Sequence, residues 1–107
     1  KSIAQRLAVL RRFRHALAEQ APVLDARFAD PARPGEFVFS QLMPLADAVQ
    51  FLEREAARIL HPQRHGAGGR SLLHAGVGSI VMREPLGTVL VIGPSNYPVF
   101  LPGVQVV

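Results

Sequence analysis

Residues 83–98 read REPLGTVLVIGPSNYP, and this stretch decides the fold class. Its centre, from Thr88 to Ile92, is an uninterrupted run of β-branched and aliphatic residues between Gly87 and Gly93. Such a run predicts a strand buried on both faces of a parallel sheet, and a parallel sheet needs helices on both sides. The segment after the strand would lie at its carboxyl end, where open α/β sheets bind ligands. The stretch therefore predicts an α/β fold.

Two helices are predicted upstream of that strand. Ser2 and Gln5 have the spacing of a capping box, and Pro22 predicts the end or the restart of the helix behind it. Pro44 predicts a short helix before it and the start of the main second helix near it, with Ser40 as the candidate cap. Both helices are indicated by apolar residues at helical spacing, namely Ile3, Leu7, Leu10, Phe13 and Leu17 in the first, and Leu42, Leu45, Val49, Leu52, Ala56 and Ile59 in the second.

Glycines and prolines predict the connections. Residues 30–35 hold two prolines and one glycine, and residues 61–69 hold three glycines, so both segments are predicted to be loops. Residues 77–84 contain the β-branched Val77, Ile80 and Val81 among other residue types. This mixed pattern predicts an edge or hairpin strand. Residues 99–107 are almost entirely apolar, which is unusual for a natural terminus, and we expect the protein to continue beyond them.

Composition limits the possible functions. A chain of 107 residues holds one small domain at most. It contains no cysteine, which excludes a disulfide scaffold, a thiolate metal site and a thiol nucleophile within these residues. No apolar run approaches the roughly 18–20 residues of a membrane span, and no signal core opens the chain. The sequence therefore predicts a cytoplasmic protein without a membrane partner.

The basic residues leave a second interpretation open. The net charge is +4, and Arg11, Arg12 and Arg14 share one helix turn, so the chain could be a non-catalytic helical module that binds a protein or a polyanion. No signature of a nucleic-acid module accompanies them, and we expect no nucleic-acid partner. His61 and His65 are four residues apart, but the intervening Pro62 prevents a shared helix face, so no metal site is predicted.

Asn96 is the candidate catalytic residue. Pro94 and Pro98 restrict the backbone on either side of it. An amide held in one direction can stabilise a developing oxyanion without titrating. Spacing alone favours a simpler interpretation, in which Asn96 is a turn residue that bonds to its own backbone.

The segment 84–98 has the pattern E-P-L-G-x-V-x-x-I-G-P-x-N-Y-P, which resembles the signature of the aldehyde dehydrogenase superfamily. The upstream helices and loops follow the order seen in that superfamily, so the resemblance covers the whole chain, although only residues 84–98 are specific. Its members oxidise aldehydes with NAD or NADP. The resemblance implies that the Asn96 amide helps to stabilise the oxyanion of a cysteine thiohemiacetal. It also implies that a strand end lies beside the cofactor, formed by Ile92, Gly93, Pro94 and Ser95.

The resemblance has further implications for the fold and the assembly. Residues 1–107 would be the N-terminal part of a Rossmann-like cofactor-binding domain, and residues 77–84 would join an oligomerisation sheet of a homodimer or homotetramer. The catalytic cysteine and the glutamate base would lie downstream, so this chain alone is expected to be inactive. Many members carry tryptophan where this chain has Ser95, which leaves the shape of the aldehyde channel open.

Overall fold

The computed structural model of the protein describes residues 2–66, 73 and 77–107. The chain divides into two compact units, residues 1–56 with 90–107, and residues 57–89. It is mostly helical and carries one small antiparallel sheet, which is consistent with part of an α/β domain. In chain order the described elements are α1 (Ile3–Phe28), a π-helical turn (Val38–Leu42), α2 (Met43–Leu60), β1 (Gln63–His65), β2 (Ser79–Val81) and α3 (Phe100–Val106).

Helix α1 begins with the predicted capping box. The Gln5 N–H donates to the Ser2 hydroxyl at 3.3 Å, and the Ser2 N–H donates to Gln5 Oε1 at 3.0 Å. The prediction that Pro22 ends or restarts the helix is wrong, because α1 continues through it to Phe28. Leu17 and Ala21 before the proline and Leu24 after it pack in the same core. Their burial offsets the loss of the backbone hydrogen bond that a proline cannot make.

The connection after α1 consists of two tight turns, as its prolines and glycine predicted. The Arg33 N–H donates to the Asp30 carbonyl at 2.9 Å, and the Glu36 N–H donates to the Arg33 carbonyl at 3.2 Å. Gly35 has a φ of 80°, which is the conformation that a type II turn requires at the position after its proline. The segment therefore reverses the chain between α1 and the π-helical turn.

Helix α2 has the predicted apolar stripe, and its centre is fully buried. Leu45 is 1% exposed and Val49 is 0% exposed. The prediction that Ser40 caps this helix is wrong, because Ser40 lies inside the π-helical turn that runs directly into α2. There the Met43 N–H donates to the Val38 carbonyl. This wide turn ends at Leu42, two residues before Pro44, which has no N–H to donate.

Helix α3 was not predicted from the sequence, which offered only an apolar segment. It packs on the core that contains Leu42 and Leu45, through its partly buried residues Phe100 and Val104. Gly103 permits this contact, since a Cβ placed on it would lie 2.8 Å from Leu45 Cδ2. Packing against a preformed core therefore selects a helix for the apolar residues 100–106.

The predicted buried strand at residues 88–92 is wrong for this chain. These residues are not in a strand, and Leu90 and Ile92 are 83% and 81% exposed. A parallel strand gains its hydrogen bonds from neighbouring strands. Within residues 2–66, 73 and 77–107, β1 and β2 are the paired strands, and neither pairs with this segment. Most of the apolar run therefore remains exposed and outside any strand.

The small sheet joins two segments of the second unit. β1 and β2 are antiparallel, with Arg64 opposite Ile80. β2 lies inside residues 77–84, where a hairpin strand was expected. The prediction that residues 61–69 are a loop is wrong at Gln63–His65, which pair with β2, and residues 67–69 of that prediction lie outside the described residues. The glycine-rich composition of this segment does not predict β1, because the stability of β1 comes from its pairing with β2.

Candidate functional site

Asn96 lies in a turn between residues 90–94, which have no regular secondary structure, and helix α3. Residues 90–94 are held close to α3 at Gly93, where an added Cβ would lie 2.9 Å from Pro102 Cγ. A proline ring cannot rotate away from such a contact, so only glycine allows this approach. The backbone before Asn96 and the helix after it are thus packed against one another.

A polar cleft of about 350 Å³ contains Asn96. The cleft brings the turn of Asn96 together with the loop after α1 and with the π-helical turn. All of its residues belong to the first unit. They are Phe28, Asp30, Arg33, Glu36, Phe37, Ser40, Gln41, Asn96 and Tyr97.

The Asn96 side chain is exposed in this cleft. The position of Asn96 in a turn agrees with the interpretation of Asn96 as a simple turn residue. That interpretation also requires a hydrogen bond from the Asn96 side chain to the nearby backbone. In the part of the chain that the structure describes, the Asn96 amide forms no such bond. Its two N–H donors are therefore available to an incoming oxygen atom.

The four residues assigned to the cofactor lie just before Asn96 and outside the lining of the cleft. Ile92, Gly93, Pro94 and Ser95 are all exposed. The Cβ direction of Gly93 is filled by Pro102, but Gly93 is exposed, and Ile92 presents an apolar side chain that is 81% exposed. Accessible backbone polar groups next to an apolar surface suit a ligand that has both hydroxyl groups and flat rings. The four residues thus fit a dinucleotide chemically.

Arg33 is the cation of the cleft, and its charge is balanced locally. Its guanidinium lies 3.0 Å from a Glu36 carboxylate oxygen and 3.5 Å from an Asp30 carboxylate oxygen. One guanidinium therefore faces two carboxylates. The Arg33 side chain is 66% exposed. Its two ion pairs lie within the loop after α1, so Arg33 does not provide an unpaired positive charge for a substrate.

Gln41 is a site residue that sequence reasoning missed. Its side chain is 6% exposed, and its Oε1 accepts hydrogen bonds from the Val99 N–H at 3.0 Å and the Phe100 N–H at 3.3 Å. The sequence feature that could have indicated Gln41 is its position four residues before Leu45, where a polar residue interrupts the apolar stripe that leads into α2. A buried polar group in such a stripe requires a partner, but the sequence does not say which.

The basic turn of α1 is partly neutralised by Glu53 of α2. Arg14 Nε lies 2.8 Å from Glu53 Oε1, and Arg11 Nε lies 3.5 Å from Glu53 Oε2. The hydrogen bond from Arg14 lowers the pKa of Glu53, and the same bond raises the pKa of Arg14. Two of the arginines that favoured a polyanion module are therefore ion-pair partners within the fold.

Two general properties concern metals and membranes. Within residues 2–66, 73 and 77–107, no three histidine, cysteine, aspartate or glutamate side chains are grouped as they would be around a metal ion. Of the helices in that part of the chain, none combines the length and the apolar character that crossing a membrane requires.

Comparison with known proteins identifies the family. The model of the aldehyde dehydrogenase family matches residues 1–107. A protein of Mycolicibacterium smegmatis named "Putative succinate-semialdehyde dehydrogenase", with NADP(+) given in that name, is 28% identical over 102 residues. The match covers 94% of this chain but 19% of the relative's length. No solved structure matches the chain. The family match extends over every residue of the chain, which therefore belongs to the aldehyde dehydrogenase family.

Proposed function

We propose that these residues are part of an enzyme that oxidises an aldehyde to a carboxylic acid with NAD or NADP. Membership of the family supports this proposal. The observation that carries it is the exposed and unbonded amide of Asn96 in a cleft at the end of the signature segment. The aldehyde, one oxidised nicotinamide and one water would give the acid, the reduced nicotinamide and one proton.

In this mechanism a cysteine outside these residues attacks the aldehyde carbon. The carbonyl oxygen then becomes an oxyanion, and the Asn96 N–H groups donate to it. A neutral amide suits this role because it donates at every pH and cannot remove a proton. Removal of one oxyanion donor typically costs about 10²–10³ in kcat. This chain has no cysteine, so on its own it is proposed to be inactive.

The cofactor would bind beside Ile92, Gly93, Pro94 and Ser95. Bound NAD or NADP would supply an acceptor for the hydride that leaves the substrate carbon. Ile92 offers an exposed apolar surface, and the neighbouring Gly93 is exposed as well. These features support binding at this segment without selecting between the two cofactors. The name of the relative makes NADP and succinate semialdehyde the first pair to assay.

The test is a steady-state assay of Asn96→Ala in the full-length protein, following formation of the reduced nicotinamide. We expect kcat to fall by about 10²–10³ with cofactor affinity nearly unchanged. Gln50→Ala, which removes an amide from the exposed face of α2, is the control and should leave kcat unchanged. Wild-type turnover in Asn96→Ala would refute the proposed role.

Residues 77–84 are proposed to contribute to an oligomerisation sheet. β2 already pairs with β1 along one edge, and Ile80 is 55% exposed. A β2 edge that continued into another subunit would bury this side chain. Ile80→Lys should therefore shift the full-length protein toward smaller species in sedimentation experiments, and an unchanged sedimentation profile would contradict the proposal.

The alternative function is a basic helical module that binds a protein or a polyanion. Its supporting charges are reduced by the pairing of Arg11 and Arg14 with Glu53. Affinity for a polyanion that falls steeply with salt would favour this alternative, whereas cofactor binding by the full-length protein would favour the enzyme.

A further inference from the structure

Gln41 is the buried polar residue in the core of the first unit. It belongs to the π-helical turn, between the half-buried Ser40 and the buried Leu42. A glutamine is rarely left in such a position without hydrogen bonds, because an unpaired buried amide loses its contacts with water. The partners of Gln41 therefore indicate why a polar side chain is placed there.

Those partners are the first backbone N–H groups of α3. Gln41 Oε1 accepts from both Val99 and Phe100, across 58 and 59 positions of sequence. The N–H groups at the start of a helix have no partner within that helix. Val99 occupies the capping position but has no polar side-chain atom. Gln41 therefore performs the capping that the local sequence cannot supply.

The helix that Gln41 caps begins directly after the Asn96 turn. Tyr97 and Pro98 are the residues between Asn96 and Val99, and Pro98 has a restricted φ. Only two residues therefore separate Asn96 from the anchored Val99 N–H. Gln41 also lines the same cleft as Asn96, so both ends of this connection lie at one site.

We propose that Gln41 is a positioning residue for aldehyde oxidation, because it fixes the start of α3 and thereby the position of the Asn96 backbone, from which the amide extends. This inference rests on the proposed function. Gln41 itself donates nothing to the substrate. Its oxygen accepts two backbone hydrogen bonds, and their effect on the reaction passes through Asn96.

The proposal predicts a specific kinetic signature. Oxyanion stabilisation depends on donors held at hydrogen-bond distance from the transition state, and a displacement of about 1 Å can cost about 10²-fold in rate. Gln41→Met keeps the length of the side chain and removes the oxygen. We expect it to lower kcat by about 10–100-fold, with little change in cofactor affinity.

Two further variants separate positioning from general packing. Gln41→Glu retains an oxygen acceptor at the same distance along the side chain, and its negative charge is favourable at a helix N-terminus. Its kcat should remain within about threefold of the wild type. Gln50→Met makes the same substitution on the exposed face of α2 and should leave kcat unchanged.

The deciding experiment is a double-mutant cycle in the full-length enzyme with Gln41→Met and Asn96→Ala. If Gln41 acts through Asn96, its substitution has almost no further effect on kcat once the Asn96 amide is absent. A purely structural role would lower kcat by the same factor in both backgrounds, and that additivity would overturn the proposal.

The outcomes distinguish this proposal from the function on which it rests. Unchanged kcat in Asn96→Ala overturns the proposed function, and this proposal falls with it. A normal kcat in folded Gln41→Met, with a low kcat in Asn96→Ala, overturns only the role of Gln41. If Gln41→Met does not fold, Gln41→Glu decides: a kcat near that of the wild type supports the proposal, and a loss like that of Asn96→Ala overturns it. Failure of both variants to fold also overturns it, because Gln41 would then be required for folding.

Discussion

Arg14 of α1 donates from Nε to Glu53 Oε1 of α2 at 2.8 Å, and this ion pair joins the two long helices. The Arg14 side chain is 26% exposed, whereas that of Arg11, the second partner of Glu53, is 66% exposed. The two partners therefore differ in the screening they experience, and the Arg14 bond is the stronger constraint. It fixes the basic face of α1 against the polar side of α2.

This ion pair predicts a pH-dependent contribution to stability. The pKa of Glu53 is lowered in the fold, first by the hydrogen bond from Arg14. The stabilisation is thus present above the pKa of an unfolded glutamate, about 4.3, and is lost as the pH falls through the lower folded value. Glu53→Gln should destabilise the full-length protein near neutral pH, and the difference from wild type should shrink in acid.

Urea unfolding of both proteins across that pH range checks this prediction. Glu19→Gln changes an exposed carboxylate on α1 and is the matched control. A difference between wild type and Glu53→Gln that stays constant from neutral to strongly acidic pH would show that the carboxylate charge is not responsible.

Gly103→Ala should destabilise the protein through overpacking. The new Cβ would lie 2.8–2.9 Å from both methyl carbons of Leu45, which is 1% exposed and has no free space to enter. Overpacking of this kind costs about 1–3 kcal/mol of the free energy of unfolding. Thermal or urea unfolding measures it, and Gly66→Ala, where no described atom lies within 4 Å of the new Cβ, should be close to wild type.

Gly93→Ala should affect the proposed cofactor segment. The new Cβ would lie 2.9 Å from Pro102 Cγ, so residues 90–94 must move away from α3. We expect NAD or NADP binding to weaken by about tenfold, the equivalent of about 1.4 kcal/mol. Isothermal titration of the full-length protein measures the Kd, and Gly103→Ala is the comparison that strains α3 elsewhere. Equal Kd values for wild type and Gly93→Ala would contradict the prediction.

Gly35→Ala should destabilise the turn between α1 and the π-helical turn. Gly35 has a φ of 80°. In this left-handed region a residue with a Cβ is less stable than glycine by about 1–2 kcal/mol. The turn also brings Phe28 and Phe37 together, with ring centroids 5.8 Å apart. Gly35→Asn should cost less, because asparagine tolerates this conformation. Equal unfolding free energies for the alanine and asparagine variants would argue against backbone strain as the cause.

Local patterns in the sequence were sufficient for the features that short-range forces control. The Ser2–Gln5 capping box, the loop at residues 30–35 and the apolar stripe of α2 are confirmed. Each depends on residues within a few positions of one another, so the sequence holds the whole interaction. The signature segment also indicated the family, which the family match confirms.

Only the tertiary structure decided the features that depend on distant partners. Pro22 stays inside α1 because core residues pack on both sides of it, and residues 100–106 become helical because Gly103 fits against Leu45. Residues 88–92 do not form the expected strand, since a parallel strand requires neighbours that the described residues do not supply. The cap of α3 comes from Gln41, 58 positions before the capping residue Val99. The physical reason is the same throughout: the free energy of these elements comes from contacts between segments far apart in sequence, which a local pattern does not contain.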